Sequence, residues 1–385
     1  MELFPGNIQS KLPHTGTSIF AIMTKLALQH KAINLSQGFP DFSVAPKLIS
    51  LVNKYMNKGY NQYAPMQGIL PLRKAISEKV RLLYGAAYDP EQQINITAGG
   101  TQALSSVIEA FIRDDDEVIL FEPAYDSYAP VVKLNNGIVK YAGLKLPDYH
   151  IDWAEVRKMI TARTRMIIIN SPQNPTGAVL GPEDMQQLIH LTENTDILIL
   201  SDEVYEHLIF DHLQHESVAR YPQLARRAFV VGSFGKTFHA TGWKLGFVLA
   251  PENLMAEFRK THQFIVFTCN TPVQYAIADY LREKDSWQSL GSFYQQKRDY
   301  FTSLLTGSRF EVIPSHGTYF QLLSYRQITD MKDTEYATFL TRKHKIASIP
   351  VSVFYNKKDD HGVLRFCFAK RDETLEKAAN ILCKI

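Results

Sequence analysis

The stretch Ser233-Phe234-Gly235-Lys236-Thr237-Phe238-His239-Ala240-Thr241-Gly242-Trp243-Lys244-Leu245-Gly246 decides how this chain is read. It lies between two apolar runs, AFVVG before it and LGFVLA after it, so it joins two strands at one edge of a sheet. A serine ends the first run, a lysine follows three residues later, and a second lysine stands eight residues beyond that. A lysine pressed among apolar neighbours at a sheet edge can lose its proton and condense with an aldehyde as a Schiff base. The second lysine and the serine hydroxyl would supply charge and donors to a phosphate. Two surface lysines in a glycine-containing loop would look the same in isolation, so the other strand ends have to decide.

Working outward, the middle of the chain alternates short apolar runs with amphipathic stretches, the pattern of α/β layers. Strands are expected at 93–98, 117–121, 165–170, 196–201, 228–233 and 245–250, and helices at 101–112, 152–160, 182–192 and 253–264. Runs such as MIIIN and ILILS are apolar throughout, as expected where helices cover both faces of a mostly parallel sheet. The C-terminal part reads differently. Helical stretches at 271–284 and 289–305 lead into short β segments at 310–314, 318–323 and 364–368, then a final helix at 373–382.

Open α/β sheets bind ligands beyond the carboxyl ends of their strands. After INITA comes Gly99-Gly100-Thr101-Gln102 at the start of a helix, where backbone N–H groups and the helix dipole favour an anion; alone, this is more often a plain turn. After MIIIN comes Ser171-Pro172-Gln173-Asn174-Pro175-Thr176-Gly177, in which prolines stiffen the loop around an asparagine; alone, this is a rigid turn. After ILIL comes Ser201-Asp202-Glu203-Val204-Tyr205, a carboxylate that is costly to bury unpaired or else a helix cap. Agreement among all the strand ends is what separates these readings.

The combination resembles pyridoxal-phosphate enzymes of the aspartate-aminotransferase fold. The resemblance rests on N-L-x-Q-G-F-P-D-F at 34–42, N-Q-Y at 61–63, N-P-T-G at 174–177, S-D-E-V-Y at 201–205, S-F-G-K at 233–236 and R-F-C-F at 365–368. Closest in look are the methionine, kynurenine and glutamine-K aminotransferases of class I. It implies an α/β large domain with a mostly parallel seven-stranded sheet flanked by helices, spanning 46–275, and a small α+β domain with an N-terminal arm, spanning 1–45 and 276–385. It also implies roles for individual residues. Lys236 would hold the cofactor aldehyde and then move a proton between substrate and cofactor. Asp202 would pair with the pyridine nitrogen, because a nearby negative charge raises that nitrogen's proton affinity. Asn174 and Tyr205 would bond the ring's phenolic oxygen, and Tyr125 would stack on its face. Gly100, Thr101, Gln102, Ser233 and Lys244 would bind the phosphate; many relatives have Arg where Lys244 stands. Tyr63 would reach the phosphate of a neighbouring subunit, making the enzyme a homodimer with shared sites. Arg365, with Asn174 and the backbone of Gly38, would grip the substrate α-carboxylate, since a guanidinium fork suits a carboxylate. Phe20, Phe267 and Phe354 would line the side-chain pocket. His207, His239 and His262 suit no metal by spacing, so no metal is expected.

Composition sets the outer limits. Lys+Arg 42 against Asp+Glu 39 leaves a net charge of +3, too small to point to nucleic acid, and the basic cluster Arg342, Lys343 and Lys345 reads as a solvated helix face. Cys269, Cys367 and Cys383 are odd in number and far apart, which excludes a disulfide scaffold and fits a reducing compartment. No window approaches the roughly 18 apolar residues of a membrane span, and no signal peptide is read at the N-terminus, so a cytoplasmic protein is expected. The expected activity is ping-pong transamination from an apolar or aromatic L-amino acid to a 2-oxo acid. The alternative enzyme is a lyase on the same cofactor that cleaves cysteine S-conjugates; a regulatory protein on the same fold is the non-enzymatic alternative.

Overall fold

The computed structural model describes residue 1 and residues 3–385. Helix Ile19–His30 and strand β1 (Ile33–Asn34) open the chain. Seven strands then build one sheet: β2 (Ile94–Thr97), β3 (Glu117–Glu122), β4 (Ile138–Gly143), β5 (Thr164–Asn170), β6 (Leu198–Asp202), β7 (Ala228–Ser233) and β8 (Gly246–Leu249). Their order is β2-β8-β7-β6-β5-β3-β4. Strand β8 runs antiparallel to both neighbours, and every other pair is parallel. The expected mostly parallel sheet is therefore present.

The continuous apolar runs have a direct cause. Successive side chains of a strand point to opposite faces. Met166, Ile168, Leu198, Leu200, Phe229 and Val231 enter one core, with helices Gly100–Phe111 and Glu252–Ile265. Their alternates Ile167, Ile169, Ile199 and Val230 enter a second core on the other face. With both faces dry, no position in the run has reason to be polar.

Strand β4 is absent from the six strands read in the sequence. It is an edge strand, bonded only to β3, and most of its residues are half-exposed. Lys140 and Tyr141 therefore sit in it without penalty, and Lys140 reaches the buried Glu117 at 3.4 Å. Helices Pro46–Asn57, Leu70–Tyr84 and Tyr128–Leu134 were likewise not read from the sequence. The stretch expected as one helix over 271–284 ends at Tyr280, where the chain turns.

Beyond helix Leu290–Leu304 the chain forms β9 (Glu311–Ile313), β10 (Phe320–Ser324), β11 (Ile346–Ala347), β12 (Ile349–Pro350) and β13 (Val363–Cys367). An antiparallel sheet of order β12-β13-β10-β9 results, while β1 pairs in parallel with β11. The backbone N–H of Cys367 donates to Leu35 O at 2.8 Å, so the two ends of the chain lie side by side. Among the described residues no helix is long and apolar enough to cross a membrane.

Candidate active site

The parallel strands β5, β6 and β7 end together, and their last residues, Asn170, Asp202 and Ser233, all line one cavity of about 330 Å³. Strand β7 passes directly into a single helical turn, Phe234–Thr237, which lifts Lys236 into the same cavity. Strand β2 delivers Gly99, Gly100 and Thr101, and the turn before β8 delivers Lys244. Gly38, Asn174 and Tyr205 also line it, and Tyr125, Arg365 and Phe20 complete the expected set found there.

One end of the cavity is built for an anion. Gly99, at φ +85° and ψ 171°, adopts a conformation nearly closed to residues with a side chain, and it turns the chain into helix Gly100–Phe111. A Cβ on Gly99 would lie 3.5 Å from Lys244 Nζ, and one on Gly100 would lie 2.9 Å from Val204 Cγ1. The glycines thus leave bare backbone at a helix N-terminus, with a lysine beside it.

The middle holds the titratable groups. Burial pushes the Lys236 amine down to about 8, and the cations Arg365 and Lys244 add to this, against the pull of Cys367 and Asp202. Its Nζ donates to Tyr319 Oη at 2.9 Å and to Gly38 O at 3.3 Å. Burial pushes Asp202 up to about 6, opposed by hydrogen bonds from Tyr128 and Val204 and by the charge of Lys236. Burial also raises the Tyr205 phenol far above its ordinary range, so it stays protonated.

The far end holds Arg365, 1% exposed on β13. It donates to Asn174 Oδ1 at 2.7 Å and to Ser36 O at 3.0 Å, and its Cζ lies 3.8 Å from the Phe320 ring centroid. Its Nε has no partner among the described residues. Burial draws its pKa down to about 10, against the pull of Tyr205, Cys367, Tyr319 and the Asp126 carboxylate.

Several expected residues lie elsewhere. Gln102 turns away from the cavity: its amide accepts from Ala98 N at 2.9 Å and donates to Ser106 Oγ at 2.7 Å, and it lies 3.1 Å from His262 Nδ1. A helix rotates about 100° per residue, so Thr101 and Gln102 cannot face the same way. Tyr63 and Phe267 are exposed and meet edge to face at 5.2 Å, outside the cavity wall. Phe354 stands behind it, 6.0 Å from Phe20 and 5.6 Å from the Arg365 guanidinium. Tyr128, Tyr319, Gln37 and Asn170 were not singled out from the sequence, although each touches the cavity or a residue in it. Only Asn170, closing MIIIN beside Asp202, carried a local signal. Among the described residues no three His, Cys, Asp or Glu side chains converge as a metal site.

Residues 30–382 match the model of the family described as aminotransferase class I and II. The chain is 46% identical to methionine aminotransferase of Escherichia coli over 375 residues, 97% of each chain. A solved structure that identified that function in the E. coli protein superposes with a TM-score of 0.97, covering 99% of this chain and all of the other. The solved N-succinyldiaminopimelate aminotransferase of Mycobacterium tuberculosis is 36% identical with a TM-score of 0.94, covering 98% of this chain and 100% of that one. Mouse kynurenine–oxoglutarate transaminase 1 is 31% identical over 94% of this chain and 93% of its own. This chain belongs to the class I and II aminotransferases. It is a transaminase of the aspartate-aminotransferase fold, using pyridoxal 5′-phosphate and working in two half-reactions at one site.

The residues present fit that cofactor. The glycine-floored helix N-terminus with Ser233 and Lys244 matches a phosphate, the buried Asp202 matches a ring nitrogen, and the depressed amine of Lys236 matches an aldehyde.

Proposed function

We propose that the amino donor is an apolar or aromatic L-amino acid of the methionine or kynurenine type, and that a 2-oxo acid accepts the group. The observation that carries this is the charge inventory of the cavity. Arg365 is the single arginine among the described residues lining it, and its buried Nε has no partner among them. A second carboxylate, as in a dicarboxylic substrate, would find Phe20, Leu104 and Phe320 instead. The names of the E. coli and mouse relatives point the same way.

Bound there, the cofactor supplies a carbonyl to take the amino group and an electron sink for the pair left when the substrate Cα loses its proton. Lys236 would hold the cofactor aldehyde at rest and, once freed, its Nζ would carry the proton lost from the substrate Cα across to the cofactor. Its pKa near 8 leaves a usable fraction of free amine at neutral pH. Asp202 would pair with the ring nitrogen, Tyr125 would cover the ring, and Asn174 and Tyr205 would bond its oxygen. Gly100, Thr101, Ser233 and Lys244 would hold the phosphate. Arg365 and Asn174, with the Gly38 backbone, orient the substrate carboxylate, and Phe20 contacts its side chain. Residues 46–275 form the cofactor-holding unit, with 1–45 and 276–385 closing over it.

The working form is a homodimer in the cytoplasm. Exposed Tyr63 and Phe267 form an aromatic pair suited to a second copy, and the free thiols Cys269, Cys367 and Cys383 suit a reducing compartment. The test is a half-reaction screen: cofactor-loaded enzyme is mixed with single amino acids and the absorbance of the bound cofactor is followed. Methionine and aromatic amino acids should convert it fastest; faster conversion by aspartate or glutamate would overturn the assignment.

A further inference from the structure

Asp202 is gripped from behind, away from the cavity, by Tyr128. The Tyr128 hydroxyl donates to Oδ2 at 2.5 Å, while Oδ1 accepts only the Val204 backbone N–H at 3.3 Å. Tyr128 is 3% exposed and opens helix Tyr128–Leu134. Its ring meets that of Tyr125 edge to face, 5.6 Å between centroids, and Tyr125 lines the cavity. One short segment therefore supplies both a flat wall of the cavity and the donor to its buried carboxylate.

We propose that Tyr128 is a positioning residue that keeps Asp202 an ionised carboxylate aimed into the cavity, ready to pair with a protonated heteroaromatic nitrogen. This rests on the cofactor assignment above. The groups facing Asp202 are few. Glu203 and Tyr205 come from its own turn, Tyr125 and Tyr128 from the segment after β3, and Lys236 from the turn after β7. Glu203 and burial favour the neutral acid; Lys236, the Val204 N–H and Tyr128 favour the charge. The Lys236 amine would be taken up in holding the cofactor aldehyde, and the Val204 contact is long at 3.3 Å. Tyr128 is the short bond that persists through the reaction. Burial and the Asp202 charge hold its own phenol far above the ordinary range, so it remains a donor at every working pH. A hydrogen bond to the charged form of a carboxyl favours that form. Without it Asp202 takes up a proton at higher pH, and a neutral acid is no partner for a ring N–H⁺.

The experiment is cofactor retention against pH, by equilibrium dialysis of full-length wild type, Tyr128→Phe, Asp202→Asn and the double variant in pyridoxal phosphate. Tyr128→Phe should match wild type at high pH and lose cofactor with a midpoint about one to two pH units higher, as expected for a hydrogen bond to a charged group. In the Asp202→Asn background Tyr128→Phe should add no pH-dependent loss. A loss equal at all pH values, no shift, or the same shift without the Asp202 carboxylate would assign Tyr128 a packing role and overturn the proposal. A readout that needs no Tyr128 variant is the infrared C=O stretch of protonated Asp202, identified by its absence in Asp202→Asn. It should be missing at pH 7.5, and its presence there would equally overturn the proposal. Failure of wild type to bind pyridoxal phosphate at any pH would instead overturn the cofactor assignment.

Discussion

Arg365 and Asn174 are joined by a 2.7 Å hydrogen bond from the guanidinium to the amide oxygen, across 191 residues of sequence. Asn174 and the Ser36 carbonyl thereby hold the two terminal nitrogens of the guanidinium, Phe320 covers its face, and Nε has no partner among the described residues. Arg365→Ala should raise KM for the amino acid roughly 10- to 150-fold, from about 1.5–3 kcal/mol for a lost charge-assisted bond, with cofactor content unchanged. Steady-state kinetics beside an absorbance scan check this. A change in cofactor content with constant KM would remove Arg365 from the substrate site.

Lys236 should show its burial in a pH profile. With its amine near 8, about a tenth is neutral at pH 7, against roughly one part in three thousand for an ordinary lysine. The rate at which cofactor-free enzyme takes up pyridoxal phosphate should rise about tenfold per pH unit below 8 and level off above it. Borohydride should fix cofactor to wild type and none to Lys236→Ala. A rate that keeps climbing to pH 10 would show an unperturbed lysine.

Legibility followed locality. Ser233, Lys236 and Lys244 were readable because their chemistry sits within a dozen residues of one strand end, where α/β sheets bind ligands. The six buried strands were readable because two dry faces leave a continuous apolar run; β4, whose side chains are mostly half-exposed, left none. Tyr319 and Gly38 meet around Lys236 from positions 281 residues apart, and no spacing rule reaches that far. Gln102 shows the limit of a motif: it stands in the first turn of the helix, but helical rotation turns its side-chain amide onto Ala98, Ser106 and His262.

Gly99→Ala tests the anion end. The native φ of +85° with ψ 171° is strained by about 1–3 kcal/mol for any L side chain, and the new methyl would stand 3.5 Å from Lys244 Nζ. Retention of pyridoxal phosphate should weaken about tenfold or more, measured by fluorescence titration, while pyridoxal without its phosphate binds as to wild type. Equal weakening for both ligands would show that the loop does not hold the phosphate.

The buried pair of Lys79 and Glu206 makes a prediction about stability. Both side chains are almost fully enclosed, the Tyr84 hydroxyl donates to Glu206 Oε2 at 2.5 Å, and His207 Nε2 lies 3.2 Å from Lys79 Nζ. Burial pushes the Glu206 carboxyl up, but Lys79, His207 and the hydrogen bonds outweigh it and leave it near 2, below its unfolded value. Its contribution is therefore present above about pH 4.5 and is lost as pH falls from there through 2. Lys79→Met removes the cation and leaves burial dominant, so the Glu206 pKa rises above its unfolded value and the sign reverses. At pH 7 the variant should be about 3–5 kcal/mol less stable than wild type in urea. As pH falls toward 5 the gap should narrow, because the buried carboxyl can then take up a proton that the unfolded chain does not yet hold. A gap of the same size at both pH values would show that Glu206 remains ionised without Lys79 and that the pair is not what offsets its burial.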